Sequence, residues 1–190
     1  MNQVTPATAP PEALARPQVR LAGSVDDAML QTFLGALDAA EGDPLVVEIT
    51  TPGGDADVGR RIATEIRLLR ERTGRRVIVF GKATVYSAGV TVLGSVPPAD
   101  RWLARGTMLL IHGRSLTQTV ELDGPLDAVR QRLEVLLAEC EAGLRLEREG
   151  FEALVAGSRV PLDEVIRRSR NNWYLDADEA LSRGLIGGVV

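Results

Sequence analysis

One serine and one histidine stand out as a pair that could do nucleophilic chemistry. Ser87 lies in the stretch TVYSAGV, between a β-branched run and an alanine–glycine step. His112 is the only histidine of the chain, and it directly follows the apolar residues MLLI. A serine hydroxyl needs a base to remove its proton, and imidazole titrates near neutral pH. The pair therefore raises the hypothesis of acyl transfer by a serine that precedes its base by 25 positions.

Each member of this pair also has a simpler structural interpretation. A serine at the start of a buried helix is most often an N-cap, which accepts hydrogen bonds from free backbone amides. On a tight strand-to-helix turn it can instead be a nucleophile, because the next N–H and the helix dipole stabilise negative charge. A lone histidine at a strand end is more often a hydrogen-bonded structural residue. Lys82 lies five residues before Ser87 and leaves a Ser-Lys dyad open.

A pair of glycines is the second feature with chemical potential. In the stretch TTPGGDA, Pro52 ends a strand, and Gly53 and Gly54 allow the backbone to turn sharply. Amides that no side chain obstructs can hold an anion, such as the oxyanion of an acyl-transfer intermediate. A plain turn is the simpler interpretation, and these residues taken alone favour it.

The elements that would position these residues alternate between strand and helix over the first hundred residues. We predict strands over 18–23, 44–50 and 75–81, the last two apolar as buried strands are. Amphipathic helices follow the first two strands, and Ser24 is predicted to cap the first helix. A buried helix is predicted directly after the serine turn. This alternation predicts an α/β fold with a mostly parallel sheet covered by helices.

The second half of the chain is dominated by one long amphipathic pattern. Two short strands are predicted within 101–112, and a helix over 125–149 comes next. That helix is longer than a compact layer needs, so we expect it to project and to contact another subunit. Cys140 lies on its apolar stripe and is predicted to be inert core. A short helix closed by Gly184 and a last strand are predicted at the end.

Composition excludes several classes of function. A chain of 190 residues predicts one domain, and its net charge of −4 disfavours nucleic acid and anionic membranes as partners. One histidine and one cysteine cannot form a zinc site, and no phosphate-binding loop is present, so we expect no metal and no cofactor. The alanine- and proline-rich residues 1–17 predict a disordered arm. Without a signal pattern or a transmembrane-length apolar run, we expect a cytoplasmic protein.

Five short stretches, taken in order, resemble the Clp protease proteolytic subunits, which are serine peptidases of the ClpP/crotonase fold. They are VRLAGSVDDAML, EITTPGGDA, GKATVYSAG, LLIHGR and WYLDADEALSRGLIGGVV. The likeness covers about 18–190, and the spacing of 25 residues between serine and histidine is that of the family. Each stretch alone is common, whereas five in the family's order are fairly specific.

The resemblance implies a fold of repeated β-β-α/βα units with a protruding, handle-like helix. It implies that Ser87 attacks a peptide carbonyl, that His112 takes the proton, and that the amides of Gly54 and Ala88 bind the oxyanion. It also implies a homo-oligomer of stacked rings with enclosed sites, a peptide or unfolded protein as substrate, and an AAA+ unfoldase as a partner to be tested.

The sequence departs from the family pattern at three places. The family's acid precedes the stretch that WYLDA matches, and Asn172 stands there, or Asn171 if the register slips by one. The family's axial N-terminal segment is replaced by the alanine- and proline-rich arm. The segment after His112 lacks the glycine-rich handle strand. A weak or inactive structural or regulatory subunit is therefore one alternative, and a crotonase-type acyl-CoA enzyme is another that the Ser-His pair disfavours.

Overall fold

A computed structural model, which describes residues 11–190, contains seven strands in one sheet. In chain order the strands are β1 (Val19–Ala22), β2 (Leu45–Thr51), β3 (Val77–Tyr86), β4 (Arg101–Leu103), β5 (Met108–Ile111), β6 (Trp173–Asp176) and β7 (Gly188–Val189). The helices are α1 (Pro11–Ala15), α2 (Asp27–Ala39), α3 (Ala56–Thr73), α4 (Ala88–Leu93), α5 (Leu126–Val155), α6 (Leu162–Ser169) and α7 (Ala177–Ser182). The prediction of a mostly parallel α/β fold is confirmed, because only the β5–β6 pair is antiparallel.

The long central strand β3 pairs with two different partners along its length. Residues 79–81 pair with β4, and residues 84–86 pair with β5, both in parallel. Between the two stretches Ala83 takes a φ of 54°, and the register with β2 shifts beyond Ile49. Irregularities of this kind bend a strand and redirect the residues after the bend. Because residues 84–86 pair with β5 beyond the bend, β3 extends to Tyr86 and does not end at the predicted residue 81.

The sheet is covered on both faces. The larger core lies on the face where α2, α3 and α4 pack, and it includes Val47, Ile49 and Phe33. A smaller cluster lies on the other face, where Leu14 of α1 packs against Val46, Ile78, Phe80 and Trp102. Strand side chains alternate between faces, so two adjacent valines of β2 contribute to different clusters. The apolar character of β2 and β3 results from this double coverage.

Three sequence predictions need correction. The cap of α2 is Asp26, which accepts from the amide of Met29 at 2.9 Å, and not Ser24. Residues 11–15 form a helix with Leu14 only 4% exposed, so the disordered arm predicted over 1–17 is wrong for them. The rest of that prediction, residues 1–10, lies outside the described residues. Cys140 is exposed and not part of the core.

Cys140 is exposed because most of α5 stands away from the sheet. This helix runs for 30 residues, and its buried side chains are Phe151 and Leu154 near its end. Its first two turns and most of its middle stand away from the sheet, with Leu126 86% exposed. The apolar stripe was predicted correctly, but it does not face the chain's own core. Within residues 11–190, no helix combines the length and the apolar character needed to cross a membrane.

Candidate active site

Ser87 lies on a strained turn between β3 and α4. Its φ of 54° and ψ of −115° lie outside the regions that non-glycine residues usually occupy. Its side chain makes no capping bond to α4, so the N-cap interpretation of this serine is not supported. Strain of this kind costs about 1–3 kcal/mol and persists only where the surroundings impose it. The turn leaves the hydroxyl half-buried and uncommitted, as a nucleophile requires.

The turn is fixed to the neighbouring strand β5. The Ser87 amide donates to the carbonyl oxygen of Leu110 at 2.8 Å, and Tyr86 pairs with Leu110 in the β3–β5 ladder. His112 comes immediately after β5, two residues after Leu110. Because β3 and β5 are parallel, their carboxyl ends meet at the same edge of the sheet. The serine and the histidine therefore follow adjacent strand ends, although no hydrogen bond among the described residues joins their side chains.

The imidazole of His112 has a defined partner. Its Nδ1 lies 2.7 Å from the carbonyl oxygen of Gly113. A carbonyl oxygen only accepts, so Nδ1 must carry the proton in this bond. The neutral ring then has an unprotonated Nε2, which is the nitrogen that could accept a proton from a serine.

Asn172 immediately precedes β6, just as His112 immediately follows β5. Ile111 pairs with Trp173, so His112 and Asn172 occupy the next positions outward. Asn172 has a φ of 54° and an exposed side chain. Asparagine tolerates this left-handed backbone better than most residues. Among the hydrogen bonds of the described residues, none joins the Asn172 side chain to His112. Asn171 is also exposed.

Of the two glycines, Gly53 packs directly against the serine turn and Gly54 packs against Val25. Gly53 has a φ of 101°, and a Cβ added there would lie 2.8 Å from the Cβ of Ser87. Gly54 forms a parallel bridge with Val25. In this bridge the Val25 amide donates to the carbonyl oxygen of Gly53, and the Asp55 amide donates to the carbonyl oxygen of Val25. The Gly54 amide therefore points away from Val25, and it has no partner among the described residues. Ala88 is the first residue of α4, and the first amides of a helix have no carbonyl partner within that helix.

Lys82 is engaged elsewhere. Its Nζ lies 2.6 Å from a carboxylate oxygen of Glu48 and over the ring of Phe80, at 5.1 Å from the centroid. Phe80 belongs to the cluster on the α1 face of the sheet. This arrangement gives no support to a Ser-Lys dyad, and it leaves His112 as the base candidate.

The carbonyl of Gly113 was not foreseen from the sequence. A backbone oxygen is present at every position, so no residue type marks the one that faces an imidazole. The glycine after His112 was part of the stretch LLIHGR, and only the fold assigns its carbonyl to Nδ1.

Comparison with known proteins agrees with this architecture. The model of the family described as Clp protease matches residues 11–190. The chain is 27% identical over 183 residues to the ATP-dependent Clp protease proteolytic subunit 2 of Treponema pallidum, which covers 91% of this chain and 81% of the relative. It is 25% identical over 186 residues to the ATP-dependent Clp protease proteolytic subunit of Paracoccus denitrificans, with coverage of 93% and 82%.

A solved structure gives the same fold. An asparagine-to-aspartate mutant of ClpP1 from Listeria monocytogenes superimposes with a TM-score of 0.69, at 17% sequence identity and with 90% of each chain covered. The predicted ClpP/crotonase-like fold is thereby confirmed. With a family model that matches residues 11–190, the chain belongs to the Clp protease family.

Proposed function

We propose that this chain is a serine peptidase with Ser87 as nucleophile and His112 as base. Membership in the Clp protease family supports a peptidase-type function. The observation that carries the serine assignment is a positive-φ Ser87 whose hydroxyl makes no capping bond, followed on the adjacent strand end by a histidine whose Nδ1 is occupied. That histidine keeps Nε2 for the serine proton, which is the division of roles in a Ser-His site.

In the proposed reaction, the Ser87 oxygen attacks the carbonyl carbon of a peptide while its proton passes to Nε2 of His112. The carbonyl oxygen becomes an oxyanion, for which the amides of Gly54 and Ala88 are the proposed donors. The imidazolium returns its proton to the leaving amine as the C–N bond breaks, and an acyl-enzyme ester remains. Water then attacks the ester by the same route and releases the acid.

Asn172 is the proposed third member, because it occupies the place of the family's acid in the sequence pattern and lies one position beyond the Ile111–Trp173 pair, as His112 does. Its side-chain oxygen could accept from the ring, but it carries no charge to stabilise an imidazolium. The expected consequence is a slow peptidase. A weak or inactive structural subunit is the alternative that this asparagine favours. An acyl-CoA enzyme is less well supported, because that chemistry has no use for a Ser-His pair.

We also propose that the chain assembles with copies of itself through α5. Leu126, Leu137 and Leu144 are 86%, 59% and 63% exposed, and a single chain leaves their stripe uncovered. Contiguous apolar surface of this kind marks an interaction site. The relatives are named proteolytic subunits of ATP-dependent proteases, which supports stacked rings and an AAA+ unfoldase partner. If rings enclose the sites, unfolded proteins and short peptides are the expected substrates.

Covalent labelling tests the assignment. We expect a fluorophosphonate to add one adduct per chain, detected by intact mass, and peptide mapping to place it on Ser87. Ser87→Ala should abolish the adduct, whereas Ser24→Ala, at an exposed serine outside the site, should label as wild type does. An adduct that persists in Ser87→Ala contradicts the assignment. An oligomer that never labels and never cleaves peptides favours the structural subunit.

A further inference from the structure

The peptide unit between Gly113 and Arg114 is held from both sides. Its carbonyl oxygen accepts from Nδ1 of His112 at 2.7 Å. Its N–H donates to Oε2 of Glu147 at 2.5 Å. The peptide is trans, since the cis bond in the described residues is Asp43–Pro44. In a trans peptide the C=O and N–H point in opposite directions, so the imidazole and the carboxylate bind opposite edges of one rigid plane.

Glu147 is itself fixed at this place. It lies in the last third of α5, and a Cβ added at Gly113 would come within 3.1 Å of its Oε2. The guanidinium of Arg114 reaches across to the carboxylate of Asp57 on α3. Two residues beyond Glu147, Glu149 pairs with Arg60 of α3 at 2.8 Å. The helix therefore presents this carboxylate to the loop from a docked position.

The direction of this peptide decides which ring nitrogen carries the proton. With the carbonyl facing Nδ1, the neutral ring must be protonated at Nδ1 and free at Nε2. If the peptide turned over, its N–H would face the ring, and the favoured tautomer would carry its proton on Nε2. Glycine on one side of the peptide makes such a reversal easier than elsewhere. Within residues 11–190, Asn172 makes no bond to the ring that would oppose it.

We propose that Glu147 is a positioning residue that sets the tautomer of His112 through the Gly113–Arg114 peptide. Its carboxylate holds the N–H, the carbonyl on the far edge holds Nδ1–H, and Nε2 stays available. Glu147 does not touch the reacting atoms. It supplies from α5 part of the orientation that an acid at position 172 would supply directly. The consequence for catalysis rests on the proposed role of His112, whereas the tautomer itself can be measured without any activity.

Nitrogen NMR reads the tautomer directly. His112 is the only histidine, so protein labelled with ¹⁵N in histidine and purified without a histidine tag gives the two ring nitrogens of one residue. Magic-angle-spinning spectra of sedimented protein avoid any limit of assembly size. At a pH where the ring is neutral, we expect wild type to show a protonated Nδ1 and an unprotonated Nε2. A wild-type ring protonated at Nε2 would by itself overturn the proposal.

Three variants separate positioning from general structural support. Glu147→Ala removes the acceptor and should give a mixture of tautomers, with kcat for a peptide lowered by about 10- to 100-fold and KM little changed, the scale of one lost charge-assisted hydrogen bond. Glu147→Gln keeps an oxygen that can accept the same N–H, so it should restore the wild-type tautomer. Glu149→Ala removes a contact between α5 and α3 and should leave the tautomer unchanged.

Three results for the His112 tautomer would contradict the proposal. A single Nδ1–H tautomer in Glu147→Ala means that the carboxylate does not set the ring. Mixed tautomers in Glu149→Ala mean that docking of α5, and not Glu147, is responsible. Failure of Glu147→Gln to restore the tautomer also counts against the proposal. If wild type proves inactive while its tautomer responds to Glu147 as described, the positioning stands and the peptidase function falls.

Discussion

The backbone amide of Ser87 donates to the carbonyl oxygen of Leu110 at 2.8 Å, and this bond joins the serine turn to the strand that ends just before His112. Neither side chain takes part in it. The relative position of nucleophile and base therefore depends on the β3–β5 ladder and on the residues packed behind the turn. Gly53 packs directly against this turn.

Gly53→Ala should disable the serine while leaving the chain folded. The added methyl would lie 2.8 Å from the Cβ of Ser87 and 3.3 Å from the oxygen of Tyr86, so the turn must shift. We expect fluorophosphonate labelling to slow by about 10²-fold, as a displacement of about 1 Å can cause. Gly42→Ala is the matched control, since Gly42 also has a positive φ of 87° but open space around it. Equal labelling loss in both variants would mean that backbone strain, and not contact with Ser87, is responsible.

The sequence predicted the order of strands and helices because hydrophobic periodicity reports burial directly. It also predicted that a buried helix follows Ser87 and that His112 comes at the end of a strand. It could not predict the bend in β3, because Ala83 is not a residue type that announces a positive φ. It missed Asp26 as the cap of α2, since Ser24 and Asp26 both suit a cap and only the fold selects one.

The remaining misses concern contacts between distant parts of the chain. Glu147 and Arg114 are 33 positions apart, and nothing in the stretch around Glu147 distinguishes it from the other acids of α5. The stripe that holds Cys140 reads as core, because periodicity cannot tell a face covered by the same chain from one covered by another. Physical patterns in one sequence reveal that a face must be buried but not against which partner.

Charged substitutions on the stripe of α5 should produce monomers. We expect Leu133→Asp combined with Leu137→Asp to convert an oligomer into a species of about 20 kDa by light scattering, in line with the 20.4 kDa chain. Both leucines are exposed, at 45% and 59%, so their replacement removes little packing within the chain. Gln131→Asp is the control, because two residues of a helix turn about 200° and place it away from Leu133. Wild type that is already monomeric at micromolar concentration contradicts the proposed assembly.

Arg101 should be a main determinant of stability. It is 1% exposed and donates to the carbonyl oxygens of Val96, Leu154 and Leu185, among others. Arg101→Met leaves these oxygens without a donor, and we expect a loss of about 3 kcal/mol or more in the free energy of unfolding. Arg105→Met, at an exposed arginine nearby, should stay within about 0.5 kcal/mol in the same urea titration. If the two variants unfold at the same urea concentration, Arg101 is not a main determinant of stability.

Burial also changes the proton affinity of this arginine. Desolvation lowers the pKa of Arg101 from its ordinary value to about 10. Below pH 10 the guanidinium is charged in both the folded and the unfolded chain, so its cost to folding is constant there. Above about pH 10 the unfolded chain binds more protons at this site than the folded chain does, so this group's contribution to stability rises with pH until the arginine of the unfolded chain also loses its proton. At neutral pH the difference in stability between wild type and Arg101→Met should therefore not vary with pH.

Replacing Asn172 with aspartate should accelerate the proposed reaction. A carboxylate across from His112 would stabilise the imidazolium, which the neutral amide cannot do. The reverse change lowers kcat by about 10⁴-fold in a Ser-His-Asp template, partly through the wrong tautomer. Here the Gly113 carbonyl already binds Nδ1, so we expect a smaller gain, of about tenfold or somewhat more, in kcat for a short peptide.

The backbone at position 172 dictates the control for this experiment. Its φ of 54° suits asparagine, aspartate and glycine, whereas alanine would add strain unrelated to the side chain. Asn172→Gly therefore removes the amide without forcing the turn, and Asn172→Ala serves only as a comparison. If Asn172→Asp is folded but no faster, and Asn172→Gly matches wild type, then Asn172 is not the third member.

In the Glu147→Ala background, Asn172→Asp should recover much of the lost kcat, because a charge beside Nδ1 then orients the ring from the other strand.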